Sequence, residues 1–170
     1  EVFFTDARTD ADLGVGAPGD GWRVAMGTLM YERGVSTLGQ QIRYSRELSG
    51  LVELAKNTDA IDDPWIRERL TRAWAGLQTM RSFALATMDD EQPGQDNVSK
   101  LLWATWHRDL GELAFAIQGK AGLILQDNEF DEWQRLLLFS RADTIYGGSN
   151  EIQRNVIAER VLGLPREARG

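Results

Sequence analysis

Apolar residues recur along most of this chain at intervals of three and four, the period that gives a helix one buried face. From Trp22 they fall at Met26, Leu29, Met30, Val35, Leu38, Ile42, Leu48 and Val52. That run predicts a long helix over residues 20–56, with Gly34 and Gly39 as points of irregularity. Asp20 stands where its carboxylate would accept the first free N–H groups. Pro64, behind Asp62 and Asp63, opens a second helix. Along it Ile66, Leu70, Ala73, Leu77, Met80, Ala84 and Thr87 step strictly by four and three, one narrow stripe. A third helix is predicted over 97–118, with Val98, Leu101, Leu102, Thr105, Leu113 and Ile117 inward. A fourth spans 131–145. A last one begins near Ser149 and Asn150 and ends by Gly163, with Pro165 beyond it.

Long helices joined by short polar turns predict an all-α fold, an up-and-down helical bundle. Ahead of it, residues 1–8 (EVFFTDAR) have strand character, so a short N-terminal strand-like segment is expected. Residues 9–19 are rich in Asp, Gly and Pro and read as a loop. Within that loop Gly14, Gly16 and Gly19 spell G-x-G-x-x-G, and Glu32 lies downstream. The dinucleotide fingerprint needs its helix to end and a second parallel strand to carry the acid. Glu32 instead falls inside a continuous helical pattern. Pro18 also removes an N–H that would face a pyrophosphate. The loop reading prevails.

Composition narrows the chemistry. With 42% hydrophobic and 26% charged residues, the chain falls among globular proteins. The six tryptophans are expected as core or interface bulk. A net charge of −7 argues against non-specific nucleic-acid binding, which needs a basic face. The absence of cysteine removes disulfides, thiolate metal sites and Cys nucleophiles, and it fits a cytoplasmic location. The one histidine, His107, excludes multi-His metal centres, and no Glu-x-x-His pair surrounds it for a di-iron bundle. No metal is expected, and His107 is read as a structural or surface residue. No apolar run is long enough to span a membrane.

Two segments say more. Residues 143–166 (DTIYGGSNEIQRNVIAERVLGLPR) closely resemble the C-terminal signature of acyl-CoA dehydrogenases. The opening EVFFTDAR…GDGWRVAMGTLMYERG is similar to the same family, where its middle β domain hands over to the C-terminal helical domain. The resemblance implies that residues 1–19 are the end of a preceding β domain and its linker. Residues 20–170 would then be the C-terminal helical bundle domain, and the chain a piece of a longer protein. It further implies an FAD-dependent oxidoreductase of lipid metabolism. Such an enzyme desaturates an acyl-CoA thioester between its α and β carbons and passes the electrons to an electron-transferring flavoprotein.

In that reaction a carboxylate removes the α proton while the β hydrogen leaves as hydride. An α proton beside a thioester is a weak acid. The site must therefore supply a desolvated base and stabilise enolate-like charge on the carbonyl oxygen. Many members carry the base in a Tyr-Glu-Gly of the late signature, where this chain has Gly147. A second subgroup, similar to the isovaleryl and long-chain enzymes, carries it on the first long helix. Tyr31-Glu32-Arg33-Gly34 matches that motif, so the resemblance implies Glu32 as the catalytic base. Arg33 would pair with CoA or with Glu32. Tyr146 and Gly147 would contact substrate, Gly147 through its backbone N–H. Gly148, Ser149, Asn150 and Glu151 fall where the family contacts the flavin. Two glycines let the chain approach a ligand closely, and a helix starting at Ser149 aims free N–H groups at a pyrophosphate. As residues alone, Glu32 is equally a solvated helix carboxylate, and Ser149 or Asn150 an ordinary N-cap.

The chain also departs from the family. Members carry Arg-x-x-Phe-Gly-x-Pro after the first long helix, reaching a neighbouring subunit's flavin. The matching stretch here, residues 58–64, keeps only Pro64. The segment that holds the adenosine end resembles residues 116–122 (AIQGKAG) in altered form. Lost contacts in trans beside a retained base suit an assembly of two different subunits, so a homo- or hetero-oligomer is expected. The alternative function is a non-catalytic partner subunit that scaffolds another chain's site. Branched, long-chain and polycyclic acyl groups all remain open, and the altered segment favours a bulky one.

Overall fold

Where the apolar stripe is most regular, the helix is longest. In the computed structural model, α3 (Pro64–Met88) runs for 25 residues. Its start is fixed by the Asp63 carboxylate, which accepts the Trp65 N–H at 2.8 Å. Ile66, Leu70, Leu77 and Met80 of the stripe are buried. The structure describes residues 2–34, 37–88 and 93–166, with the backbone alone at 29–34, 37–38 and 88. The other helices are α1 (Gly21–Gly34), α2 (Thr37–Asn57), α4 (Gln95–Gln118), α5 (Glu132–Asp143) and α6 (Asn150–Val156). A π-helical turn at Ile157–Val161 continues α6. The chain forms an all-α bundle, with no sheet among the described residues. No described helix is long and apolar enough to cross a membrane.

Helix α4 is the axis of the bundle, packing against α1, α2, α3, α5 and α6. Its C-terminal half supplies Leu110, Leu113, Ala114 and Ile117 to a core shared with Tyr44, Leu48 and Leu51 of α2, the α3 stripe and Leu136 of α5. Each fully buried leucine stabilises the fold by about 1.5–3 kcal/mol relative to exposure. Gly111 sets the approach of α5. A Cβ there would lie 2.6 Å from Ser140 Oγ and 3.0 Å from Leu137 Cα. Trp103, Trp106 and Trp133 pack on this core, and the Trp106 indole donates to the Ala73 carbonyl at 2.8 Å. Trp22, Trp65 and Trp74 are exposed.

Four local expectations change. The helix predicted over 20–56 is α1 and α2, with residues 35–36 outside the described residues. The Asp20 carboxylate accepts from the Ala17 N–H at 3.1 Å and from Arg23 at 2.9 Å, so it closes the preceding turn rather than capping α1. Residues 2–10 form no strand, and Val2, Phe3 and Phe4 are exposed. A strand needs a neighbour for its N–H and C=O groups, and none of the described residues supplies one. On α4 the predicted inward face holds at Leu113 and Ile117 but fails toward the N-terminus. Leu102 is exposed, while Asn97, Lys100, Ala104 and His107 are buried.

Candidate functional site

The turn between α5 and α6 gathers most of the predicted binding residues. Asp131 and Gln134 cap α5 reciprocally, and the Gln134 amide also donates to the Gly122 and Ile124 carbonyls, pinning the preceding loop. Helix α5 ends at Asp143. The chain then turns through Gly147 and Gly148 at φ +63° and +95°, a region that L side chains rarely enter. Ser149 caps α6 by accepting the Ile152 N–H at 3.4 Å.

Gln153 holds this turn from one side. Its amide donates to the Gly147 and Gly148 carbonyls at 2.8 and 3.3 Å, and its own carbonyl accepts from Asn97 at 2.5 Å. In a trans peptide the N–H points opposite the C=O. The N–H groups of Gly148 and Ser149 therefore face away from Gln153. With that of Gly147, they have no backbone partner among the described residues. Asn150 donates its backbone N–H to the Thr144 carbonyl at 3.1 Å, and its side-chain Oδ1 is buried without a partner among the described residues. Unspent donors beside an unspent buried acceptor fit a ligand that carries both acceptors and hydroxyl-type donors.

Beneath the turn lies a polar network absent from the sequence-based expectations. The Lys100 ammonium donates to the Asp143 carbonyl and sits over the Trp103 and Tyr146 rings, 5.1 and 5.9 Å from their centroids. The Tyr146 hydroxyl donates to Asp143 Oδ1, and His107 Nδ1 bonds Asp143 Oδ2. His107 Nε2 lies 3.0 Å from Glu47 Oε2, and Glu47 also pairs with Arg43 at 3.4 Å. Burial alone would push the His107 pKa down. The hydrogen bonds to Asp143 and Glu47 outweigh it and hold the pKa above the ordinary histidine value. Tyr44, whose ring lies 4.6 Å from His107, has its phenol pushed up by burial first and by Asp143 next.

Of the predicted residues, Tyr146, Gly147, Gly148, Ser149 and Asn150 share the turn. Glu151 is beside it but points outward. Its carboxylate is held below the usual range by its own backbone N–H and by the Ser149 hydroxyl. Glu32 and Arg33 lie on α1, which packs against α4; their side chains fall outside the described residues. Of the network residues Glu47, Lys100, His107 and Asp143, sequence reasoning singled out His107 alone, as a structural or surface residue, and missed the network itself. One signal pointed to two of them: Lys100, Ala104, His107, Gly111 and Ala114 share one face of α4 at steps of four and three. Among the described residues no group of three or more His, Asp or Glu is arranged to hold a metal ion.

The profile of the acyl-CoA dehydrogenase C-terminal domain matches residues 19–162. The chain belongs to the acyl-CoA dehydrogenase family. The protein described as acyl-CoA dehydrogenase IpdE1 of Mycolicibacterium smegmatis is 79% identical over 170 residues, all of this chain and 43% of that protein. IpdE1 of Mycobacterium tuberculosis is 78% identical over all of this chain and 45% of its own length. The chain thus spans less than half the length of these curated relatives. Among solved structures, the Tcur3481-Tcur3483 steroid ACAD matches with TM-score 0.81 and 26% identity, covering 97% of this chain and 45% of that one. The ChsE4-ChsE5 complex from Mycobacterium tuberculosis matches in fold, with TM-score 0.72 and 22% identity, covering 89% of this chain and 43% of that one.

Proposed function

We propose that this chain is the C-terminal helical domain of a flavin-dependent acyl-CoA dehydrogenase that desaturates a thioester between its α and β carbons, with residues 1–19 belonging to the end of the domain before it. The observation that carries the reading is the Tyr146–Asn150 turn. The family signature coincides there with left-handed glycines and, among the described residues, N–H groups without backbone partners and an unspent buried Asn150 Oδ1. These residues fit FAD, whose phosphates and ribityl chain offer acceptors and hydroxyl donors. Bound FAD would supply the hydride acceptor. Gly148, Ser149 and Asn150 would hold it, with Glu151 at the edge of the contact.

Glu32 would take the α proton. In support, α1, which carries it, and α6, which follows the turn, both pack on α4. The Gly147 N–H would hold the thioester oxygen and oppose the negative charge that develops there. Tyr146 would flank the acyl chain, and Arg33 would meet CoA or steady Glu32. Electrons would leave to an electron-transferring flavoprotein. The similarity to a protein described as a steroid ACAD supports a bulky, polycyclic acyl group. The two-component name of that neighbour, with the altered segments at 58–64 and 116–122, supports a hetero-oligomer that fills only part of its flavin sites.

A second reading, a non-catalytic subunit that scaffolds a partner's site, is favoured by the glycine at position 147, where many members carry the base. Turnover of a panel of CoA thioesters by the full-length protein and its partner, with a dye as electron acceptor, separates the two. Glu32→Gln should abolish turnover and leave flavin bound. Turnover unchanged by that substitution would favour the scaffold.

A further inference from the structure

The proposed reaction leaves unused a titratable group buried in the bundle. His107 is 1% exposed, yet each of its ring nitrogens faces a carboxylate oxygen. A neutral imidazole has one N–H to give, and only the imidazolium donates on both sides. The two carboxylates look out on different surroundings. Glu47, 24% exposed, stands with His107 on the wall of a groove of about 910 Å³ between α2 and α5. Asp143 is fully buried, and its second oxygen accepts the hydroxyl of Tyr146. One carboxylate therefore joins a proton site that opens on the groove to the turn that carries Gly147 and Gly148.

Among the described residues, the charged and titratable groups around His107 come from three helices. From α2 come Arg43, which pairs with Glu47, Arg46 on the groove wall, Glu47 itself and the buried phenol of Tyr44. From α4 comes Lys100, bonded to the Asp143 carbonyl. From α5 come Asp143 and, along the groove, Glu132 and Arg135. Lys100 donates to the backbone carbonyl of Asp143, and His107 bonds its carboxylate directly.

We propose that His107 is a positioning residue of this site: as an imidazolium it fixes the Asp143 carboxylate against the Tyr146 hydroxyl and so holds the 146–148 turn in its binding shape, and loss of its proton through the groove relaxes that turn. That the turn is a thioester and flavin site rests on the function proposed above; the link from His107 to Tyr146 does not.

The two are tested separately on the full-length protein with its partner. In protein labelled with 15N-histidine and 3-fluorotyrosine, His107 and Tyr146 are assigned by the signals lost in His107→Gln and Tyr146→Phe. The Tyr146 fluorine should shift with the same midpoint as the His107 ring nitrogens, and Asp143→Asn should uncouple them. In turnover, His107→Gln should lower kcat roughly 10- to 100-fold, as a sub-ångström to ångström misplacement does. KM should stay within about two-fold, and the step in the kcat–pH profile that matches the His107 midpoint should vanish. Should His107→Gln fail to fold, Tyr146→Phe, which removes only a hydroxyl, should still erase that step. A Tyr146 signal that stays flat through the His107 titration overturns the proposal, whatever the activity. So does a wild-type pH profile kept in both variants. If the wild-type protein oxidises no thioester, the proposed reaction fails, and the fluorine titration alone decides the link.

Discussion

Both halves of α4 turn a face into the bundle, and they fill it with opposite chemistry. The C-terminal half buries Leu110, Leu113, Ala114 and Ile117 against apolar side chains of α2, α3 and α5. The N-terminal half, with His107 at the midpoint, buries Asn97, Lys100 and His107, each bonded to a partner on a distant segment. Apolar burial is non-directional and stabilises whatever packs densely. A buried polar network adds little net stability, but it penalises every arrangement that leaves a member unpaired. One half of the helix therefore holds the bundle together, and the other fixes the shape of one turn.

That contrast can be broken from either side. The largest effect is expected from Asp143→Ala, which leaves the buried His107 Nδ1 donor without its carboxylate and removes the acceptor of Tyr146. Taking one partner from a buried pair costs about 3–5 kcal/mol, read as a lowered urea midpoint, and the turn should loosen with it. Leu110→Ala, at a fully buried apolar position, should cost about 2–4 kcal/mol. It should leave the pH dependence of stability unchanged, because no titrating group is touched.

The pH dependence itself belongs to the polar half. His107 binds its proton more tightly folded than unfolded. Its contribution to stability is therefore fully present below about pH 6.5, the unfolded value, and is lost as pH rises through the raised folded value. Wild type should lose stability over that window, and His107→Gln should show a flatter curve in urea titrations at successive pH values. The smallest change is Ser149→Ala. It removes one long cap bond on α6 and should cost about 0.5–1 kcal/mol, visible as earlier hydrogen exchange at Ile152.

How much of this could be read from the chain follows the same division. The α3 stripe was legible because its signal is local and apolar, and Ile66, Leu70, Leu77 and Met80 are buried as expected. The Gly147–Gly148 turn was legible because few residue types tolerate a left-handed backbone, and the Ser149 cap because few side chains can accept a helix's first N–H groups. The N-terminal half of α4 was not, because buried Lys100 and His107 look like a solvated face until their partners are known. His107 meets Asp143 36 residues on and Glu47 60 residues back, separations that helical periodicity does not encode. The strand character of residues 2–8 gives no strand here, since a strand needs a neighbour and the described residues supply none.

Glu32 as the base is tested most directly by its own elementary step, exchange of the α hydrogen. The full-length enzyme, incubated in D2O with a thioester that cannot transfer its β hydrogen, should wash deuterium into the α position, followed by mass spectrometry. Glu32→Gln should slow that exchange by about 100-fold or more, the usual worth of a positioned base, with flavin still bound. Undiminished exchange in Glu32→Gln would show that another group removes the proton.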